Sequence, residues 1–236
     1  MTENIYNPEF VKSLFNRMSG SYERMNYITS FGFSIRWRKQ FIKRFERTKN
    51  KIEIIDLLTG MGETWNAVKN MFPNAKLTGL DFSAEMLNSA RKKSQQHFKN
   101  EVKLVQQDVL ESNLPGNHFD IVICAFGLKT FNSDQIKILA IETRRILKSG
   151  GKFSFIEVSK PGNIILKALY KFYLGKIIPI FGGILLANPS VYKMLWRYTD
   201  KFSNAKNAAR IFKEVGLHTN YESYFYGCAT GFHGNK

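Results

Sequence analysis

The stretch IEIIDLLTGMGE, residues 52–63, joins a short apolar run to a turn with glycines two residues apart. A run of this length ending at Asp56 suits a buried strand. Gly60 and Gly62 let the backbone turn sharply and approach a ligand closely at the carboxyl edge of a sheet. A dinucleotide fingerprint would need a third glycine where Trp65 stands. The loop carries no lysine to neutralise a phosphate, which argues against a Walker-type site.

Outward from this turn the pattern repeats. Apolar runs occur at AKLTGLD (75–81), VKLVQQD (102–108), FDIVICAFG (119–127) and GKFSFIEVS (151–159). Amphipathic helical patterns lie between them, at SAEMLNSARKKSQQHF (83–98) and SDQIKILAIETRRILKSGG (133–151). Strands alternating with helices predict an α/β fold with a parallel sheet. LHTNYESYFYGCATGFH (217–233) reads as two more strands around Gly227, an antiparallel pair closing one edge. The expectation is one domain over 1–236: a helical cap (1–50), a ligand-binding core (51–159), a helical insertion (160–200), and a helix with a strand pair (201–236).

The strand ends carry the candidate site. Thr59, Gly60, Met61 and Gly62 follow the first strand, and Asp81 ends the second, placed to accept both ribose hydroxyls beside Phe82 against an adenine face. Asp108 and Val109 follow the third strand, with Asp108 facing an adenine amino group, and Ala125 and Phe126 close the fourth. This order suits adenosine without phosphates. The competing reading makes Asp81 and Asp108 helix N-caps only.

The 236 residues contain 35 Lys and Arg against 19 Asp and Glu, a net charge of +16, with 44% apolar and 14% aromatic residues. That composition excludes a disordered or fibrous chain. Cys124 and Cys228 are too few for a disulfide framework, and the N-terminus has no apolar signal segment, so a cytoplasmic protein is expected. No metal-ligating cluster is read. Residues 36–51 hold eight of the basic residues with one Glu, and predict a strongly basic helix. Residues 164–187 are long and apolar, but Lys167, Lys171, Lys176 and Pro179 argue against a bilayer span. Two short helices broken near Gly175–Pro179 are expected, forming either a lid over an apolar substrate or an extra core layer. Basic residues interleaved with apolar ones suit contact with an anionic membrane surface. Nucleic acid is the weaker partner, because no Asn/Asp-Pro-Pro-aromatic run follows the fourth strand.

Two longer patterns carry a family resemblance. The first is Tyr22-Glu23-Arg24-Met25-Asn26 with Thr29-Ser30, Ser34 and Trp37; the second is Arg145-Ile146-Leu147-Lys148-Ser149-Gly150-Gly151 with Glu157-Val158-Ser159. Together with AFGL (125–128), SKPGN (159–163) and the tail from Gly227 to Lys236, they resemble the UbiE/MenG family of class I methyltransferases, which C-methylate quinone precursors. The resemblance implies a Rossmann-like fold with seven mostly parallel strands and a C-terminal antiparallel strand. N-terminal helices and a helical insertion before the last two strands go with it. It also implies S-adenosyl-L-methionine as cofactor and a lipophilic quinol such as demethylmenaquinol as acceptor; a homodimer is one option for assembly. The sequence departs from the family where Thr59-Gly60-Met61-Gly62-Glu63 stands for Gly-Gly-Thr-Gly-Asp, Lys129-Thr130 for Arg-Asn, and Arg197-Tyr198 for Glu-Ser. A different acceptor, such as a specialised metabolite or a phospholipid amine, and a non-catalytic role are the alternatives these changes leave.

A phenolic acceptor needs its O–H deprotonated or polarised. None of His97, His118, His218 and His233 falls at a strand end facing the glycine turn. Lys129 is the candidate, as a base or as a cation holding a phenolate, against the reading of a solvated lysine. Tyr22 and Asn26 are expected to close over the cofactor. Tyr192 and Tyr198 are expected to line the acceptor pocket, with core packing as the competing reading. Cys124 reads as a small buried strand residue.

Overall fold

The computed structural model describes residues 4–18, 27, 30–99, 101–178, 180 and 189–236. Tyr22 and Asn26 lie outside the described residues, as do the side chain of Tyr192 and residues 179 and 181–187 of the 164–187 block. Seven strands form one sheet: β1 (Glu53–Leu57), β2 (Lys76–Asp81), β3 (Lys103–Gln106), β4 (Phe119–Ala125), β5 (Leu147–Val158), β6 (His218–Tyr224) and β7 (Ala229–Asn235). Their order is β3-β2-β1-β4-β5-β7-β6. The first five run parallel, and β7 is antiparallel to both its neighbours. Chain order reverses beside β1, which has β2 on one side and β4 on the other, so a crevice opens at the carboxyl ends of β1 and β4. Register fixes its level, because Leu57 pairs with both Leu80 and Cys124.

Alternation along the strands divides the core between two faces. Ile55, Val122 and Phe155 pack on one side with Phe212 and Phe232. Ile54, Ile121, Ile123 and Ile156 pack on the other with Trp65, Phe41 and Phe72. The helices are α1 (Pro8–Met18), α2 (Phe33–Ile42), α3 (Trp65–Met71), α4 (Ala84–His97), α5 (Ser133–Ile146), α6 (Ile164–Phe172), α7 (Pro189–Phe202) and α8 (Lys206–Glu214). Ser83 caps α4 by accepting from the Met86 amide at 3.1 Å, and Asn132 with Gln135 forms a reciprocal capping box on α5.

Two boundaries differ from expectation. The helical pattern of 133–151 ends at Ile146, where Leu147 turns to extended backbone and β5 begins. A bulge between Phe119 and Ile121 absorbs the Lys148–Gly151 segment, in which Gly150 takes φ 71°. The basic helix expected over 36–51 stops at Ile42, and a turn follows. Lys39, Lys43 and Arg47 would stack like charges at four-residue intervals if it continued, with Glu46 alone to offset them.

Candidate active site

The glycine turn is held by its own neighbours. The Thr59 hydroxyl donates to Asp56 at 2.7 Å and accepts from the Trp65 indole N–H at 2.9 Å. Trp65 is fully buried against the turn, and a Cβ at Gly62, where φ is 77°, would lie 2.5 Å from its ring. The residue that broke the dinucleotide pattern thus fills the space a helix backbone would otherwise approach. Asp81 accepts from the Gly60 amide at 2.8 Å and from the Ser83 amide at 3.0 Å, which ties the β1 and β2 turns together. Asp108 accepts from the Leu110 amide at 2.9 Å. Both carboxylates therefore organise local backbone and also face the crevice. Burial raises Asp56 to about 7 and Asp81 to about 6, against the hydrogen bonds that favour their ionised forms.

Gly60, Asp81, Phe82, Asp108, Ala125 and Phe126 line one crevice together. Thr59, Met61, Gly62 and Val109 are not on its wall; Thr59 and Gly62 shape the turn, and Val109 is a core residue. The sequence reading missed Arg38 and Glu63, both on the wall. Arg38 was expected on a membrane-facing basic surface, whereas it is 5% exposed. The signal was available: Ser34, Trp37, Arg38, Phe41 and Ile42 are the buried stripe of α2, so Arg38 is a charge at an apolar position of the helical period.

A second, larger cavity of about 270 Å³ adjoins the first, and Phe15, Arg38, Phe126 and Thr130 belong to both walls. Phe126 forms the partition. Its backbone is left-handed at φ 68°, its amide N–H donates to the Ile156 carbonyl at 2.8 Å, and its ring carries the Arg38 guanidinium 4.7 Å from the centroid. The remaining wall is mostly apolar and aromatic, with Trp37, Leu166, Tyr170 and Tyr173 prominent.

Lys129 and Tyr198 both line this second cavity. The Lys129 ammonium donates to Glu157 at 2.7 Å and to the Phe126 carbonyl at 3.0 Å, and Glu157 also accepts the Lys129 and Val158 amides. An ammonium engaged in this way tethers the turn after β4. The Tyr198 hydroxyl donates to the Ile5 carbonyl at 2.5 Å, and that of Tyr170 to the Cys228 carbonyl at 3.3 Å. Burial pushes the Tyr170 hydroxyl up, far from any role as a base. Arg197 is exposed, and none of the four histidines lines either cavity. Cys124 is buried and its thiol is raised by desolvation, as suits a core residue.

A model of the ubiE/COQ5 methyltransferase family matches residues 3–236. The chain belongs to this family. Demethylmenaquinone methyltransferase of Listeria monocytogenes is 30% identical over 97% of the chain and 96% of that protein. The enzyme of the same name from Lactiplantibacillus plantarum is 30% identical over 96% and 95%. Among solved structures, a SAM-dependent methyltransferase of Aquifex aeolicus overlays with TM-score 0.55 at 15% identity, covering 84% of the chain and 88% of that structure. Haemonchus contortus phosphoethanolamine N-methyltransferase 2, in complex with S-adenosyl-L-methionine, overlays with TM-score 0.59 at 15% identity over 93% and 60%. The chain is a methyltransferase that uses S-adenosylmethionine. The first crevice presents carboxylates at the β2 and β3 ends, acceptors of the kind a nucleoside's hydroxyl and amino groups need. At the β1 end, the Arg38 Nε and a Glu63 carboxylate oxygen are buried without a hydrogen-bond partner among the described residues.

Proposed function

We propose that the protein C-methylates a lipophilic quinol precursor of the demethylmenaquinol type, taken up at a membrane surface. The adjoining apolar cavity, which meets the cofactor crevice at Phe126, is the observation that carries this reading. The names of the 30%-identical relatives point to the same acceptor class. S-adenosylmethionine supplies an electrophilic methyl group on a sulfonium. The chain's work is to align an aromatic carbon with that methyl and to keep water away. Phe126, Thr130 and Trp37 would set the acceptor ring at the partition. Lys129 would act through position, because its ion pair with Glu157 holds the turn that presents Phe126 and Thr130. Tyr198 would close the wall by pinning α7 to the N-terminal segment at Ile5.

Delivery from a membrane surface is supported by the cavity's rim. Phe31 and Phe225 line the cavity and are also exposed, by 77% and 48%. On α6, Leu166 and Tyr170 face the cavity while Ile164, Ile165, Leu169 and Phe172 are exposed beside Lys167 and Lys171. Apolar side chains among lysines suit insertion into an anionic interface. Among the described residues no helix is long and apolar enough to cross a membrane. In this reading α6 and α7, with Leu166, Tyr170, Met194 and Leu195 on the cavity wall, cover the acceptor.

Incubation of the purified protein with S-adenosylmethionine and demethylmenaquinol, with mass spectrometry of the lipid, tests the reading. A product heavier by one methylene unit is expected. Methylation of an amine acceptor with none of the quinol would replace it by the second reading, to which the change at Lys129-Thr130 points.

A further inference from the structure

Arg38 and Glu63 approach each other on the crevice wall without completing a hydrogen bond. The guanidinium and carboxylate are 3.6 Å apart, with side chains only 7% and 11% exposed. The Arg38 Nε and the Glu63 Oε1 are both buried, and neither has a hydrogen-bond partner among the described residues. Two buried, hydrogen-bond-deficient charges are costly unless something else completes them. Their position says what that is. Asp81 and Asp108, at the β2 and β3 ends, face the nucleoside part of the crevice, so the β1 end beside Gly60 receives the other end of the cofactor. That end is a zwitterion, with one ammonium and one carboxylate on the same carbon.

We infer that Arg38 and Glu63 form a two-ended clamp for the α-amino-acid group of the cofactor, with Glu63 accepting from the ammonium and Arg38 donating to the carboxylate. The inference rests on the crevice being the cofactor site. A zwitterion matches the pair in sign at both ends, and it satisfies the two orphan atoms together. Arg38 also lies over Phe126, so the residue that recognises the cofactor's tail backs the partition against the acceptor. The clamp makes the site selective for adenosine thioethers that retain the amino acid.

Calorimetric binding of three ligands tests this without turnover. S-adenosylhomocysteine carries both charges, decarboxylated S-adenosylmethionine lacks the carboxylate, and 5′-methylthioadenosine lacks both. Arg38→Gln and Glu63→Gln should each weaken S-adenosylhomocysteine by about thirtyfold or more and leave methylthioadenosine within about twofold. Parallel losses for the two ligands, or an unchanged affinity for S-adenosylhomocysteine, would overturn the clamp. The wild-type protein supplies a test that needs no variant. It should bind decarboxylated S-adenosylmethionine at least about tenfold more weakly than S-adenosylmethionine, and equal affinities would remove Arg38 from the assignment. Unchanged affinity of Asp81→Asn for both S-adenosylhomocysteine and methylthioadenosine would instead remove the cofactor from this crevice, and the clamp with it.

Discussion

The two cavities that meet at Phe126 are assembled from very different sequence separations. The cofactor crevice is built from strand-end turns whose ties are short: Thr59 to Asp56 across three residues, Asp81 to Ser83 across two, and Gly60 to Asp81 across 21. The acceptor cavity is closed by contacts between distant parts of the chain. Tyr198 reaches Ile5 across 193 residues, Tyr170 reaches Cys228 across 58, and Lys129 reaches Glu157 across 28. Local turns fix the sheet-edge half of the first site, to which α1 and α2 add Phe15 and Arg38. The second exists only once the fold has brought α1, α2, α6 and α7 over the sheet edge.

The sharpest way to break this contrast is at Lys129, where the acceptor wall depends on one buried ion pair. Lys129→Met should cost about 3–5 kcal/mol in denaturant unfolding, because the Glu157 charge is left buried without its partner. The double variant Lys129→Met, Glu157→Gln should regain part of that loss, since glutamine removes the buried charge and keeps one of the two side-chain acceptors that the 129 and 158 amides use. A tether predicts that methyl transfer in the double variant is reduced but still measurable, since only the hold on the turn is loosened. If Lys129 were the base, the double variant would fold and bind cofactor with kcat abolished.

The corresponding break on the cofactor side is Gly62→Val. Its Cβ would overlap the Trp65 ring at a backbone position with φ 77°. Overpacking and left-handed strain together should cost about 3 kcal/mol, with cofactor affinity falling as the turn shifts. Full stability in the variant would mean that Trp65 has room to move, and that the turn is not locked from within.

These two sites explain what could be read from the sequence. Six of the ten expected cofactor residues line the crevice, because glycine spacing and acidic strand ends are local marks of a switch-point site. Trp65 was legible only as a missing glycine; its packing against Gly62 belongs to the folded turn. Lys129 was placed at the right edge, but its pairing with Glu157 depends on β4 and β5 lying side by side, which no spacing encodes. Arg38 was misread because charge was weighed over periodicity. A helical phase that puts an arginine between Trp37 and Phe41 buries it whatever its charge.

Asp81 sharpens the contrast through pH. Burial lifts Asp56 and Asp81 to about 7 and about 6, so between roughly pH 4 and 7 the folded protein holds protons that the unfolded chain releases. Their contribution to stability therefore rises as pH falls through that window, and is smallest above it. Cofactor binding should respond in the opposite sense, because a protonated Asp81 loses acceptor capacity toward ribose. S-adenosylhomocysteine affinity should drop below about pH 6 in the wild type, whereas Asp81→Asn should bind about thirtyfold more weakly with a flatter profile. A wild-type affinity unchanged from pH 8 to pH 5 would detach Asp81 from the ligand and leave it the role of joining Gly60 to Ser83.

The smallest effect belongs to the outermost layer of the acceptor side. Lys167 and Lys171 stand exposed on α6 among Ile164, Ile165, Leu169 and Phe172, none of which the fold buries. Each lysine near an anionic bilayer should contribute about 1 kcal/mol, so Lys167→Gln with Lys171→Gln should weaken binding to phosphatidylglycerol vesicles by about tenfold or more, and less so at high salt. Phe172→Ser should weaken it at all salt concentrations, since its share is apolar burial. The same variants should leave S-adenosylhomocysteine affinity untouched, because none of the three positions lines the crevice. If vesicle binding survives both changes, the exposed face of α6 is not where the lipid is met, and the rim at Phe31 and Phe225 becomes the place to substitute next.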